Sequence, residues 1–263
     1  MPSLKSGKRI YAIGDIHGYL DALENMQAAI ADDLKNSDID PKEKGQDVFI
    51  IYLGDYIDRG PESAGVLDNL IAQQKIKDGI TRIFICGNHD LCLQDFAQGR
   101  IGPDTLNWFK WGGLNTLKSY GVNVDDVEYE ALRPAEIERL QIELSKSMPK
   151  KHKAFIGNAP FVHVEDDYLF AHAGIDPQKP VSEQTQEDLT YIREPFLSWE
   201  TPCEKYVIHG HTIIEEPEIL HHRIGVDVGV YKHGRLGCVV LEGDTNRFIY
   251  APTAHTGFYD PKP

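Results

Sequence analysis

Short apolar runs alternate with amphipathic segments through the first third of the chain. Residues 9–13 are apolar from Ile10 to Ile13 and stop at Gly14. Residues 20–31 place Leu20, Ala22, Leu23, Met26 and Ile30 close to one helical stripe. Residues 48–53 are continuously apolar, the mark of a strand buried on both faces, and stop at Gly54. Ser63 is a candidate N-cap for a helix reaching 74, with Val66, Leu67, Leu70 and Ile71 on one face. Residues 80–86 predict a third strand, ending at Gly87. This strand–helix–strand–helix–strand order predicts a mixed or parallel sheet, and so an α/β fold.

From about 94 to 153 the pattern is mostly helical. Residues 135–148 carry Ile137, Leu140, Ile142 and Leu144 among charges. Pro149 with Lys150 and Lys151 reads as the end of that helix. Trp108, Phe109 and Trp111 are candidates for lining a substrate groove, although residues at that spacing are more often helix core. The last third predicts short strands at 168–171, 205–209, 223–228, 237–241 and 247–250, several separated by glycine turns. No linker, repeat or low-complexity block interrupts the chain. The expectation is one domain over 1–263, with a helical insertion at about 94–153.

Chemistry concentrates where the strands end. The first runs into Gly14-Asp15-Ile16-His17-Gly18, the second into Gly54-Asp55-Tyr56-Ile57-Asp58-Arg59-Gly60, and the third into Gly87-Asn88-His89-Asp90. Two later strands run into His172-Ala173-Gly174 and His209-Gly210-His211-Thr212. The carboxyl edge of an open α/β sheet is where ligands bind. Asp15, His17, Asp55, Asn88, His172 and His211 together suit manganese, iron or zinc. Six donors are too many for one tetrahedral ion and enough for two ions sharing a carboxylate. Asp227 also ends a strand pattern, where a turn role and the orienting of a histidine are equally open. His209 alternates with His211, and a role supporting the donors and a structural role are both open. No cysteine has an arginine six positions later, so a thiolate phosphatase is excluded, and no phosphate-binding G-x₄-GK[ST] loop occurs.

Composition narrows the partners. The 263 residues carry 41 Asp plus Glu against 27 Lys plus Arg, a net charge of −14. Such a chain is poorly suited to wrapping nucleic acid or lying on an anionic membrane. Four cysteines are too few for a disulfide framework at this length, and Cys86 and Cys238 read as core. The first residues have no apolar stretch of signal-peptide length, so the expected location is the cytoplasm. Asp125-Asp126, Asp166-Asp167 and Glu215-Glu216 read as solvated acidic faces. Oligomeric state is not legible.

Thirteen residues match the signature GDxHG…GDxxDRG…GNH[ED]: Gly14, Asp15, His17, Gly18, Gly54, Asp55, Asp58, Arg59, Gly60, Gly87, Asn88, His89 and Asp90. In this the chain resembles the phosphoprotein phosphatase family of metallophosphoesterases, which includes symmetrical diadenosine tetraphosphate hydrolases. The resemblance implies a metallophosphoesterase sandwich of central mixed sheets flanked by helices, holding two divalent ions, manganese foremost. It implies that Asp15 and His17 hold the first ion, that Asp55 bridges, and that Asn88, His172 and His211 hold the second. His89 resembles the general acid, with Asp58 holding its ring. Arg59 and Arg193 resemble phosphate clamps, with Asn88 beside them. Two such ions supply a hydroxide for in-line attack on phosphorus. Two dications less two carboxylates and that hydroxide leave about +1 at the site, so a phosphoryl group is acceptable on an acidic protein.

The first functional expectation is a serine/threonine protein phosphatase acting on a phosphorylated protein or a small phosphoester. The alternative is a symmetrical diadenosine tetraphosphate hydrolase, favoured by Asp90 and Ala173 where protein phosphatases usually have Glu and Gly. Asp58 before Arg59 favours the phosphatase. A non-catalytic metal-binding scaffold is a third reading, weakened because no donor is missing.

Overall fold

The computed structural model describes residues 2–257, apart from 126, 129 and 130. The amino-terminal half of the first sheet is parallel. It places β1 (Lys8–Ile13) beside β2 (Asp47–Tyr52), and β2 beside β3 (Ile80–Phe84). The second sheet contains β4 (Val162–Glu165), β5 (Tyr168–Ala171), β6 (Tyr206–His209), β7 (Glu218–Ile219) and β8 (Arg223–Gly225), in the order β4-β5-β6-β8-β7. β5, β6 and β8 run parallel, and β4 and β7 are antiparallel edges. Finally β9 (Arg235–Glu242) and β10 (Thr245–Pro252) return antiparallel to complete the first sheet, β10-β9-β1-β2-β3. Both sheets are therefore mixed.

Alternation along the strands explains the layering. Ile10 and Ala12 of β1 and Ile51 of β2 pack between the sheets, with Phe170, Ile208, Ile224, Val239 and Leu241. Tyr11, Ile13, Val48, Ile50 and Tyr52 point the other way, onto α1 (Leu20–Lys35) and α2 (Ser63–Gln73). Both faces of β1 and β2 are thus covered, which is why their sequences are continuously apolar. The far side of the second sheet buries Leu169, Ala171 and Val207 against Ile175, Leu189 and Phe196.

All eight predicted strands occur, with ends shifted by at most three residues. β4 and β7 were not predicted. The sequence of β4, Val-His-Val-Glu, is half polar because it lies at an edge, and β7 is only two residues long. Between β3 and β4 the chain runs through α3 (Asn88–Ala97), α4 (Pro103–Trp108), a wide turn at Phe109–Gly113, α5 (Leu114–Ser119), α6 (Pro134–Ser147) and α7 (Lys150–Gly157).

Three expectations are corrected. Lys150 and Lys151 do not close α6, because Pro149 turns the chain and they begin α7. Ser63 is not the N-cap of α2. Glu62 holds that position, and the Ser63 hydroxyl accepts a hydrogen bond from the Asp58 amide instead (3.0 Å). The pair Asp166-Asp167 is a solvated face only at Asp167: Asp166 is mostly covered and pairs with Lys5 and Lys8, while the exposed Asp167 accepts from the Ser3 amide, so both fasten the amino terminus. Asp126 of the first acidic cluster lies outside the described residues. Among the described residues no helix is long and apolar enough to cross a membrane.

Phe170 is fully buried between the sheets. Phe170→Ala is expected to lower unfolding free energy by about 3–5 kcal/mol, read as a fall in the denaturation midpoint.

Candidate active site

The carboxyl ends of β1, β2, β3, β5 and β6 meet at one rim, because the parallel strands of both sheets stop side by side there. Asp15, His17, Asp55, Arg59, Asn88, His89, Arg193 and His211 line a cleft of about 240 Å³ at that rim. Asp58 and His172 are fully buried behind it. Every predicted site residue is therefore brought together. Trp111 and Tyr191 also line the cleft.

The backbone is strained to achieve this. Among the described residues six non-glycines have positive φ, and five of them are His17, Asp55, Asp58, Arg59 and His211. Each such residue costs about 1–3 kcal/mol, and the surroundings must hold it. The Asp90 carboxylate does much of that holding. It accepts from the amides of Asp55 (2.9 Å), Gly87 (2.9 Å) and Tyr56 (3.1 Å), tying the β2 turn to the start of α3. In return, Asp55 Oδ1 accepts from the His89 amide (3.0 Å). Gly87 is required at this join, because a Cβ there would collide with Asp55.

Hydrogen bonding fixes the imidazole tautomers. His172 Nδ1 lies 2.9 Å from the Leu53 carbonyl, and a carbonyl can only accept. Nδ1 therefore carries a proton, and in the neutral ring Nε2 bears the lone pair. That lone pair faces Asn88 Oδ1 (3.0 Å), His211 Nδ1 (3.2 Å) and Asp55 Oδ2 (3.4 Å). His17 has the same tautomer, since its Nδ1 bonds the Ile57 carbonyl (2.8 Å), but its Nε2 accepts from Arg59 Nη1 (2.8 Å) while also facing Asp55 Oδ2 (3.7 Å) and Asp15 Oδ2 (3.9 Å). Acceptors facing acceptors in a buried place repel unless a cation lies between them.

The electrostatics show the same demand. Burial lowers the His172 pKa, but Asp55 and Asp15 outweigh it and push it up to about 10. Burial, and then Asp227, push the Asp15 carboxyl well above its usual range. Asp227 Oδ2 is itself buried with no hydrogen-bond partner, while Oδ1 accepts from the Gly229 amide (2.8 Å). Among the described residues, two groups have donor atoms close enough to hold a divalent ion: His17–Asp55–His89 and Asp55–His172–His211. They share Asp55, as a dinuclear centre requires, and their nitrogen and oxygen donors suit borderline metals. The residues present therefore fit a metal pair.

His89 faces two ways. Its Nδ1 is 2.6 Å from Asp58 Oδ2, and Nε2 is 3.8 Å from Asp55 Oδ2. Asp58 is fully satisfied by the helical segment after β3. Trp108 Nε1 donates to Oδ2 (2.7 Å), and the Thr116 hydroxyl donates to Oδ1. The Asp58 amide donates to Thr116 Oγ1 (2.9 Å). Asn115 Nδ2 donates to the Arg59 carbonyl (2.6 Å), and Gly112, at φ 110°, lies so close that a Cβ would come within 2.6 Å of Arg59 N. Arg59 itself lies over the Tyr231 ring at 4.2 Å, as a cation–π pair. Arg193 Nη1 donates to Thr212 Oγ1 (3.0 Å).

A family model described as calcineurin-like phosphoesterase matches residues 8–228. The chain belongs to the calcineurin-like phosphoesterases. It is thus a phosphoester hydrolase of metallophosphoesterase fold. Its curated relatives include a protein of Oceanobacillus iheyensis named bis(5'-nucleosyl)-tetraphosphatase PrpE [asymmetrical], 24% identical over 240 residues and covering 84% of each chain. A Bacillus cereus protein of the same name is 24% identical over 245 residues, covering 85% of this chain and 87% of that one. Among solved structures, a putative diadenosine tetraphosphatase superposes with a TM-score of 0.61 at 19% identity, covering 95% of this chain and 99% of that one. A protein serine/threonine phosphatase from Saccharomyces cerevisiae gives 0.52 at 13% identity, covering 96% and 84%.

Three features of this phosphoesterase were missed in the sequence. Trp108 is not simple core, because it donates to Asp58. Trp111 packs partly against the core and also lines the cleft, the less favoured of its two readings, with its ring 5.9 Å from that of His89. Tyr231 gave no signal beyond being an aromatic after Asp227. His209 does not line the cleft. It accepts from Arg223 (3.1 Å), and burial with Arg223 brings its pKa down to about 3.

Trp108→Phe keeps the packing and removes one donor to a charged acceptor, a loss of about 1.5–3 kcal/mol. We expect kcat to fall roughly ten- to hundredfold with bound metal unchanged, as measured by steady-state kinetics and metal analysis.

Proposed function

We propose that this phosphoesterase hydrolyses dinucleoside polyphosphates, splitting diadenosine tetraphosphate asymmetrically into AMP and ATP. The observation that carries the reading is the match to relatives named for that reaction over 84% of both chains. The complete donor set at the cleft supports it. This puts the alternative ahead of the serine/threonine phosphatase reading, and replaces symmetrical by asymmetrical cleavage.

In the proposed assignment Asp15, His17 and Asp55 hold one divalent ion. Asp55, Asn88, His172 and His211 hold the other. When bound, such a pair polarises the phosphoryl group and lowers the pKa of water to about 7. The chain's own residues do the rest. Arg59 and Arg193 grip phosphate oxygens, and a guanidinium stays charged while doing so. Asn88 adds a polar contact at the same end of the cleft. A water that has given one proton to solvent bonds through its oxygen to the α-phosphorus, the bond from that phosphorus to the bridging oxygen breaks, and His89 gives the leaving oxygen a proton that it regains from solvent. Asp58 holds the His89 ring through Nδ1, leaving Nε2 directed at the cleft. Acid catalysis of this kind contributes about 10²–10⁴ in rate.

One observation favours the second reading, a serine/threonine protein phosphatase. The Asp58–His89 pair at 2.6 Å equips the site to protonate an alkoxide, a poorer leaving group than a polyphosphate and one that gains more from an acid.

Chelation with EDTA is expected to stop turnover and Mn²⁺ to restore it. With diadenosine tetraphosphate, chromatography should show equal AMP and ATP, at a rate above that for phosphoserine peptides. Two ADP would reinstate symmetrical cleavage, and faster phosphopeptide hydrolysis would reinstate the phosphatase. His89→Ala should lower kcat by at least about 10² while retaining both metals. Loss of metal from that variant would make His89 a ligand.

A further inference from the structure

We infer that a second cavity beside the cleft seats the nucleobase of the nucleotide whose phosphate lies in the cleft. This deepens the dinucleoside polyphosphate reading and rests on it. The cavity has a volume of about 350 Å³. Leu91, Cys92 and Asp95 of α3 form one wall. Arg100, Ile101 and Gly102 of the next loop form another, with Thr105 of α4. Gln186 and Tyr191, from α8 (Gln186–Tyr191), close it.

Position is the first argument. Tyr191 lines both this cavity and the catalytic cleft, so the two spaces adjoin across its side chain. The helix α3 that starts with Asn88 and His89 at the cleft presents Cys92 to the cavity. Those three residues advance about 4.5 Å along the helix. A group in the cavity is therefore about one turn from the phosphate. A phosphotyrosine ring bonds directly to its phosphate and would remain in the cleft. A nucleobase is set off from its α-phosphate by a ribose, which suits a neighbouring space. That register also puts the α-phosphate at the metal edge, which gives AMP as a product.

Chemistry is the second argument. Asp95 and Arg100 are the charged residues lining the cavity, and they pair with each other (Arg100 Nε–Asp95 Oδ1, 2.9 Å). Their charges cancel, so a second phosphate gains little there. A neutral flat ring with polar edges fits better. Leu91, Cys92 and Ile101 offer apolar contact, and Ile101 is left 48% exposed. Tyr191 offers an aromatic surface, and base–aromatic stacking tolerates any base. The Gln186 amide supplies both a donor and an acceptor for a base edge.

Gly102→Trp tests the cavity without touching the cleft. A Cβ on Gly102 meets nothing within 4 Å, and its φ of −147° suits any residue, so the fold should persist. In the Mn²⁺-loaded enzyme, the ratio of kcat/KM for diadenosine tetraphosphate to that for p-nitrophenyl phosphate should fall at least roughly tenfold. Saturation-transfer NMR with adenosine should give a signal on the wild type that Gly102→Trp loses. An unchanged ratio, or adenosine saturation that is absent or equal in both proteins, overturns the inference. Failure of the underlying reading looks different. There the wild type would leave diadenosine tetraphosphate intact, while the adenosine signal and its loss in Gly102→Trp would still support the cavity.

Discussion

Asp55 Oδ2 lies within 4 Å of ring nitrogens on His172, His17 and His89, and the structure around it is organised to keep that carboxylate in place. Burial alone would raise the Asp55 pKa, yet His172 and His89 outweigh it and hold the group well below the usual carboxylate range. A buried negative charge that draws a proton onto the His172 ring beside it calls for cations. The parallel strands bring the donors to one rim. The left-handed backbone at His17, Asp55 and His211 then turns them inward. That strain persists because Asp90 ties Asp55, Tyr56 and Gly87 together through three backbone amides.

The helical segment after β3 looks like an insertion when read along the chain. In space it is the brace of the His89–Asp58 pair. Trp108, Thr116 and Asn115 bond to Asp58 or Arg59, and Gly112 permits the close approach. A carboxylate buried this completely is stable only when its lone pairs are filled. The segment fills them, so Asp58 can orient the His89 ring without being hydrated.

Local charge differs from the charge of the whole chain. A count of two carboxylates at the centre leaves about +1 once two dications and a hydroxide are included. The structure adds Asp58, Asp90 and Asp227, all buried nearby. Burial pushes Asp90 and Asp227 upward, which moderates their contribution. Arg59 and Arg193 line the same cleft and add positive charge there. The net −14 of the chain is thus compatible with a phosphoester substrate.

The first-half strands and the turn residues that follow them were legible in the sequence, because both are local. A continuous apolar run ending in glycine marks a buried strand and its exit, so Asp15, His17, Asp55, Asn88 and His89 could be placed on one edge before any coordinates. Edge strand β4 was not legible, since an edge needs no apolar pattern. Nor were the supports of Asp58, which join residues 50 and 58 positions apart. An aromatic packed in a helical core and one donating to a buried carboxylate have the same spacing along the chain. What the sequence determined by itself was the set of donors and their strand-end positions, through short-range turn chemistry. Only the tertiary structure decided which side chains hold those donors, fill their lone pairs and open a second cavity beside them, because these depend on which distant segments pack together.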